Sequence, residues 1–258
     1  MTQITKYPPG TFCWAELATT DAVGAKKFYQ GLFGWSVNEF PIGEGGNYIM
    51  AQLEQKDVAA MYSLFPQQRA QGTPSHWLAY ISVADSDAST AKAKKLGAKI
   101  LKAPFDVFDV GRMAALQDPA GANFALWQPK KHIGATLKDQ PGAVCWNELV
   151  TADVDAAGKF YSQLFNWKIE TQKFGEMQYR VLRNGETTAG GMMQAEKRIP
   201  SHWTIYFAAE NCDRSVEKVK SLGGKVCVPG TDIPGVGRFA AIEDPQGAMF
   251  AIIQMSPK

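Results

Sequence analysis

Long apolar runs and a strong charge of either sign are both missing from this chain. No stretch of about 18 apolar residues occurs, so the sequence predicts no membrane-spanning helix. The 27 Lys and Arg residues nearly balance the 25 Asp and Glu residues, and a net charge of +2 gives no reason to expect binding to nucleic acid or to an anionic membrane. The first residues also lack the apolar run of a signal peptide. These absences predict a cytoplasmic, globular protein.

Cysteine is scarce, and its spacing excludes the common zinc and redox motifs. The four cysteines, none of them in a Cys-x-x-Cys pair, are Cys13, Cys145, Cys212 and Cys227. We interpret all four as small core residues of a protein in a reducing compartment.

The chain contains a long internal duplication. Residues 9–35 and 141–167 are identical at 15 of 27 positions without a gap. A repeat of this length predicts two similar domains, at 7–128 and 140–258, each with its own core. The polar stretch 129–139 has no counterpart in the other copy, which indicates a linker.

Each copy predicts a strand, a helix and several further strands, and then the same order again. In the first strand, period-two alternation puts Phe12, Trp14 and Glu16 on one face, with Cys13, Ala15 and Leu17 on the other. A helix follows, and turns such as Gly43–Gly46 separate the later strands. Each copy therefore comprises two βαβββ units, and the chain is predicted to be an α+β protein of four such units.

Two signatures carry a resemblance to a known family. They are the run Phe28-Tyr29-x-x-Leu32-Phe33-Gly34-Trp35 and the turn Asp118-Pro119-Ala120-Gly121, both with close counterparts in the second copy. With this order of elements, the chain resembles the vicinal oxygen chelate superfamily, which includes glyoxalase I, extradiol dioxygenases and bleomycin resistance proteins. It is most similar to tandem glyoxalase-like proteins. The resemblance implies sheets that curl into incomplete barrels around a cavity, with the helices outside.

The resemblance also implies a divalent metal ion held by His, Glu or Gln on strands that face the cavity. Counting from the two signatures, the ligand positions fall on Trp14, Leu78 and Ala125, and in the second copy on Trp146, Thr204 and Ala251. These side chains are not suitable metal ligands, so we predict no metal cofactor. The alternative is an off-register site that uses Glu16 with His76, and Glu148 with His202, although a catalytic ion normally has three protein ligands.

We therefore predict a protein that binds a small organic molecule in its barrel cavities, similar in principle to the bleomycin resistance proteins. The alternative function is a metal-dependent glyoxalase-like lyase or dioxygenase, so whether the protein is an enzyme stays open. The expected partners are a small-molecule ligand but neither nucleic acid nor membrane, and the expected state is a monomer or homodimer. The predicted ligand-binding residues are Trp14, Glu16, His76, Tyr80, Trp146, Glu148, His202 and Tyr206.

Most of these residues also allow a purely structural interpretation. The two tryptophans either wall a cavity or plug the barrel. The glutamates act as a base or cation ligand, or they pair with Arg112 or Arg238. The histidines act as an acid or base, or they form a hydrogen bond that fixes the start of a strand.

The remaining duplicated residues are expected to have structural roles. Arg112 and Arg238 are expected in surface ion pairs, and Trp77 and Trp203 in the core. The Asp-Pro turns are interpreted as turn chemistry alone. His132, which lies in the linker and is not duplicated, is expected in solvent.

Overall fold

The computed structural model describes residues 4–43, 46–174, 177–196 and 198–256. Glu44 and Gly45 of the predicted glycine-rich turn lie outside the described residues. The elements of the first half are β1 (Phe12–Thr19), α1 (Ala22–Phe33), β2 (Ser36–Pro41), β3 (Asn47–Leu53), β4 (Lys56–Ser63), α2 (Pro66–Ala70), β5 (His76–Ser82), α3 (Ser86–Lys95), β6 (Lys99–Val107), β7 (Gly111–Gln117) and β8 (Asn123–Pro129).

In the residues that the structure describes, the second half repeats this order without a counterpart of the short helix α2. Its elements are β9 (Val144–Thr151), α4 (Val154–Phe165), β10 (Lys168–Phe174), β11 (Met177–Asn184), β12 (Thr187–Gln194), β13 (His202–Ala208), α5 (Cys212–Ser221), β14 (Lys225–Ile233), β15 (Gly237–Glu243) and β16 (Met249–Met255). Among the described residues, no helix is both long and apolar enough to cross a membrane.

Each half forms one mixed sheet of eight strands. The first has the order β2-β3-β4-β1-β5-β8-β7-β6, and the second has the equivalent order β10-β11-β12-β9-β13-β16-β15-β14. The first strands of the two units pair antiparallel at the centre, β1 with β5, and each runs parallel to the last strand of its own unit. The predicted α+β fold of four βαβββ units is confirmed, with open sheets rather than closed barrels in the described chain.

The helix α1 buries the apolar residues of the first family signature on one face. Its buried residues Ala25, Phe28, Tyr29 and Leu32 follow the spacing of one helix face. The side chain of Asp21 accepts hydrogen bonds from the first free backbone amides, and the helix ends at Gly34.

A bulge in β1 corrects the predicted faces of that strand. The pairing with β5 shifts register between Phe12 and Trp14. Phe12 consequently packs in the main core with Ala15 and Leu17, whereas Cys13 and Trp14 lie together in the cluster on the other face of the sheet. The prediction that Phe12 shares a face with Trp14 was therefore wrong, because a bulge inserts one residue into the alternation.

The two halves share one large core, and each half also has a smaller buried cluster of its own. One continuous cluster of buried side chains contains residues of both sheets and of α1, α3, α4 and α5. Phe12 packs edge-on against Trp203, with ring centroids 4.9 Å apart, and Phe33 lies 5.0 Å from Phe207. Trp77 and Trp203 are buried in this core, as predicted.

The Asp-Pro turns take part in the contact between the halves. Tyr29 donates a 2.9 Å hydrogen bond to Oδ2 of Asp244, and Tyr161 donates one of the same length to Oδ2 of Asp118. The other oxygen of each aspartate accepts two backbone amides of its own turn. The interpretation of these residues as turn chemistry alone was wrong, because each turn also binds a helix of the opposite half.

The cysteines depart in part from the prediction. Cys13 and Cys212 are buried, Cys145 is half-buried and Cys227 is exposed. Cys227 is therefore not a core residue.

Candidate functional site

A cavity of about 410 Å³ lies on the face of the first sheet that points away from the shared core. Its lining comes from the end of β2 and from the β6–β7 turn, which belong to opposite edges of the sheet, so the sheet curls around the space. The lining residues are Trp14, Glu16, Phe40, Pro41, Ile42, Tyr48, Met50, Tyr80, Val107, Phe108, Asp109, Val110, Met113, Trp127 and His132.

A hydrogen-bonded cluster of four side chains forms one wall of this cavity. The two oxygens of the Glu16 carboxyl accept hydrogen bonds from Tyr48 (2.8 Å) and Tyr80 (2.7 Å). The indole Nε1 of Trp14 donates to the hydroxyl of Tyr48 at 3.2 Å. Strand geometry explains the cluster, since Trp14 and Glu16 are two residues apart on β1 and Tyr80 is the partner of Trp14 on β5.

Burial controls the protonation of this cluster. Removal from water raises the pKa of Glu16, and this effect exceeds the opposing hydrogen bonds from Tyr80 and Tyr48 and the charge of His132. Burial, followed by the charge of Glu16, raises the pKa of both tyrosines well above the usual range. The phenols therefore keep their protons and act as donors to the carboxyl group.

The connecting segment supplies a second wall, through His132. Its ring packs perpendicular to that of Trp14 at a centroid distance of 4.8 Å, and its backbone carbonyl accepts a 2.8 Å hydrogen bond from Trp127. Nε2 of His132 lies 3.7 Å from a carboxylate oxygen of Asp57, and the pKa of Asp57 is lowered chiefly by this histidine. The prediction that His132 lies in solvent was wrong, because the segment folds back on the first half.

The position of Trp127 depends on a close approach to the backbone. A Cβ atom at Gly111 would lie 2.2 Å from the ring of Trp127, so only glycine leaves room for the indole. At the mouth of the cavity, Phe40 is half exposed and Phe108 is 77% exposed. The apolar walls therefore continue to the protein surface.

The second half repeats the polar cluster on β9, β11 and β13. Trp146 donates to the hydroxyl of Tyr179 at 2.9 Å. Tyr179 and Tyr206 each donate a 2.8 Å hydrogen bond to Glu148. Burial raises the pKa of Glu148 as well, against these two hydrogen bonds and the charge of His202.

The surroundings of the two clusters differ. Strand alignment places Phe239 where the first half has Met113, and Ile253 where it has Trp127. Gly191 stands in the place of Ala60, and a Cβ atom at Gly191 would lie 2.0 Å from the hydroxyl of Tyr179. The two halves thus share a carboxyl cluster but not its walls.

The predicted histidines do not line the cavity. Nδ1 of His76 lies 2.8 Å from the carbonyl oxygen of Pro74, and His202 makes the same contact with Pro200. Because a carbonyl only accepts, Nδ1 carries the proton in both rings. Each histidine fixes the start of its strand, which is the structural interpretation given above.

The two arginines are surface ion-pair residues, as expected. Arg112 binds Asp87 at 2.6 Å and lies 3.4 Å from Asp106, and Arg238 binds Asp213 and Asp232, both at 3.0 Å. Neither arginine pairs with the buried glutamates, so that alternative for Glu16 and Glu148 was wrong.

The residues around Glu16 do not fit a divalent metal ion. The ligand positions that the resemblance implies in the first half are Trp14, Leu78 and Ala125. Trp14 and Ala125 are both strand partners of Tyr80, and Leu78 is the strand partner of Glu16. The carboxyl oxygens already accept two phenol protons, and the described part of the chain contains no group of three His, Cys, Asp or Glu residues with metal-binding geometry. Glu16 and His132 are two ligand types in this cavity, short of the three that a catalytic ion normally has, and phenol and indole are poor donors for Zn, Ni, Mn or Fe.

Sequence reasoning missed several residues of the cavity. Tyr48 and Tyr179 are duplicated, but their spacing of 131 residues differs by one from that of Glu16 and Glu148, so an ungapped comparison overlooks them. Trp127 and His132 are not duplicated, and nothing in the sequence marks them as wall residues.

Comparison with known proteins supports the family assignment. The Glyoxalase/Bleomycin resistance protein/Dioxygenase superfamily profile matches residues 11–126 and 143–252. CFP32 of Mycobacterium tuberculosis, provisionally named a glyoxylase, is 40% identical over the full length of both chains. The anthracycline biosynthesis protein DnrV of Streptomyces peucetius is 31% identical over 98% of this chain and 96% of that protein.

Solved structures show the same fold at low sequence identity. The Mn(II)-bound glyoxalase of Novosphingobium aromaticivorans gives a TM-score of 0.66 at 15% identity, covering 95% of this chain and 82% of that one. A variant of homoprotocatechuate 2,3-dioxygenase from B. fuscum gives 0.65 at 16% identity, covering 98% and 73%. The chain therefore belongs to the glyoxalase/bleomycin resistance protein/dioxygenase superfamily.

Proposed function

We propose that the protein binds a small organic molecule with an apolar, aromatic body in the cavity of its first half, without a metal ion at the positions used by relatives. The observation that carries this proposal is the cavity itself. Its volume of about 410 Å³ falls in the range of small-molecule sites, roughly 300–1,000 Å³.

The walls favour a flat apolar ligand. Indole and phenol rings form part of the lining, and Met50 and Met113 add adaptable apolar surface. The Glu16 cluster then supplies the few polar contacts that fix the orientation of a ligand in such sites.

The relatives point in the same direction. One carries the name of an anthracycline biosynthesis protein, and anthracyclines are fused-ring aromatic compounds. This supports an aromatic ligand class, without identifying the compound. For Trp146, Glu148, His202 and Tyr206 of the second half, and for His76, ligand binding stays a prediction.

A fluorescent aromatic alcohol tests the proposal. We expect 9-(hydroxymethyl)anthracene to bind with one site per chain, measured by its emission and by isothermal titration calorimetry. The variant Met113→Trp places an indole into the cavity and should abolish binding, because the space is filled.

The duplication provides a matched control. Phe239→Trp changes the aligned residue of the second half and should leave the affinity unchanged. Equal loss in both variants, or no saturable binding to the unaltered protein, would contradict the proposed site.

A further inference from the structure

The charged groups of the cavity are predominantly acidic. Glu16 and Asp109 contribute carboxyl groups, and among the described lining residues there is no Lys or Arg. Lys131 pairs with Asp109 from outside the lining. The imidazole of His132 has its Nε2 atom next to Asp57, which compensates any charge on the ring.

Glu16 retains the capacity to bind a ligand. Each carboxylate oxygen offers about two lone-pair sites, and each accepts one hydrogen bond from a tyrosine. One acceptor site on each oxygen is therefore left. The two tyrosine bonds fix the carboxyl group, so a ligand does not have to order it on binding.

Aromatic faces surround the same carboxyl group. Trp14, Tyr48 and Tyr80 contact it or one another, and Trp127 stands behind Tyr80 with ring centroids 6.4 Å apart. A cation is attracted both by a carboxylate and by the faces of indole and phenol rings.

We propose that the ligand carries a positively charged amine, which binds Glu16 while the aromatic body of the ligand packs against the aromatic side chains that line the cavity. This inference rests on the proposed function and adds the charge class of the ligand. An anionic ligand is disfavoured by the carboxyl group of Glu16, and a neutral ligand forms no ion pair with it.

The protonation of Glu16 couples to this binding. Since burial raises its pKa, Glu16 takes up a proton more readily in the empty cavity, and an ammonium group reverses this effect. The other groups that face Glu16 are His132 with its partner Asp57, Asp109 at the mouth, and the phenols of Tyr48, Tyr62 and Tyr80, which stay protonated. Binding of an amine should therefore release protons and should tighten as the pH rises through the pKa of Glu16.

Three probes of one shape separate the contribution of charge from that of the aromatic body. They are 9-(aminomethyl)anthracene, 9-(hydroxymethyl)anthracene and anthracene-9-carboxylate, measured at pH 7.5. We expect the amine to bind at least about tenfold more tightly than the alcohol, which corresponds to roughly 1.4 kcal/mol, and the carboxylate to bind most weakly. Calorimetry of the amine, repeated at several pH values from 5 to 8 in buffers of different ionisation enthalpy, should report proton release where Glu16 of the free protein is protonated, while the alcohol should show none.

Glu16→Gln should remove the preference for the amine over the alcohol, and circular dichroism with thermal unfolding checks separately that the variant is folded. Glu217→Gln, an exposed change on α5, is the matched control and should keep the preference for the amine.

If the alcohol binds as tightly as the amine, the charge assignment is wrong and the proposed function stands. If no probe binds, both are wrong. The proton release is measured on the unaltered protein and does not depend on any variant.

Discussion

The two halves of this protein keep the same buried carboxyl group with the same three aromatic partners, yet they enclose it differently. Glu16 faces a cavity bounded by Trp127 and His132, whereas in the second sheet Ile253 takes the place of Trp127. Residues kept in both copies can therefore belong to the shared fold, and under the proposed function the residues that differ determine which half binds the ligand. Function in this chain is to be sought where the duplication is imperfect.

The largest effects are expected where the halves agree. Asp118→Ala and Asp244→Ala each remove two turn hydrogen bonds and one bond to a tyrosine of the opposite half. We expect each to lower the free energy of unfolding by about 3 kcal/mol, measured by urea denaturation. Tyr29→Phe and Tyr161→Phe keep the turn bonds and remove the bond between the halves, together with the bond that each hydroxyl accepts from Trp77 or Trp203. If either has no effect, that contact does not stabilise the pair.

Exchanging the residues at positions 60 and 191 should lower the free energy of unfolding more in the second half than in the first. Gly191→Ala gives the second half the residue that the first half has at position 60, but its Cβ atom would overlap the hydroxyl of Tyr179. We expect a loss of about 2 kcal/mol in thermal or urea unfolding. The reverse change, Ala60→Gly, should cost about 1 kcal/mol. Equal costs would mean that Tyr179 moves aside freely.

An exchange of wall residues should transfer the difference in binding. Trp127→Ile gives the first half the side chain of the second, and should weaken binding of 9-(hydroxymethyl)anthracene about tenfold, since it removes an aromatic wall. Ile253→Trp in the second half should leave that affinity unchanged. A titration in which both variants bind like the unaltered protein would rule out Trp127 as a contact.

The pH dependence of stability should be the same in sign for both glutamates. Their pKa values are raised in the folded state, mainly by burial, so this part of the stability is present at low pH and declines as the pH rises from about 4.5 through the folded pKa. Glu16→Gln and Glu148→Gln should each reduce this decline in melting temperatures measured between pH 4 and 8. A steeper decline in either variant would contradict the assignment of burial as the cause.

The smallest effect is expected from metal ions. Addition of Ni, Zn, Mn or Fe should shift the melting temperature of neither half beyond that of a chelator-treated sample, because the donor set around each glutamate is unsuitable. A saturable shift that Glu16→Gln abolishes would instead favour the lyase or dioxygenase alternative.

The sequence predicted those parts of the fold and site that follow from periodicity. Trp14, Glu16 and Tyr80 lie together because alternation along two neighbouring strands brings them to one face. Phe12 was misplaced because a bulge breaks that alternation without a residue signal. The bond between Tyr29 and Asp244 spans 215 positions, and neither residue type indicates a partner in the other half.

The position of His132 could not be predicted from the sequence either. Its position follows from where the connecting segment folds, and that depends on contacts such as the hydrogen bond from the amide of Ala135 to the carbonyl of Cys13. A polar segment with Pro and Gly permits this course but also permits an extended one. Only the three-dimensional structure distinguishes the two.

That connecting segment has an evolutionary consequence. A tandem duplication doubles every strand and helix, but it joins the two copies at a single segment, and here that segment contributes His132 to the cavity of the first half. This wall does not come from the repeated elements. The surroundings of the two carboxyl groups can therefore differ even where the strands and helices of the copies match.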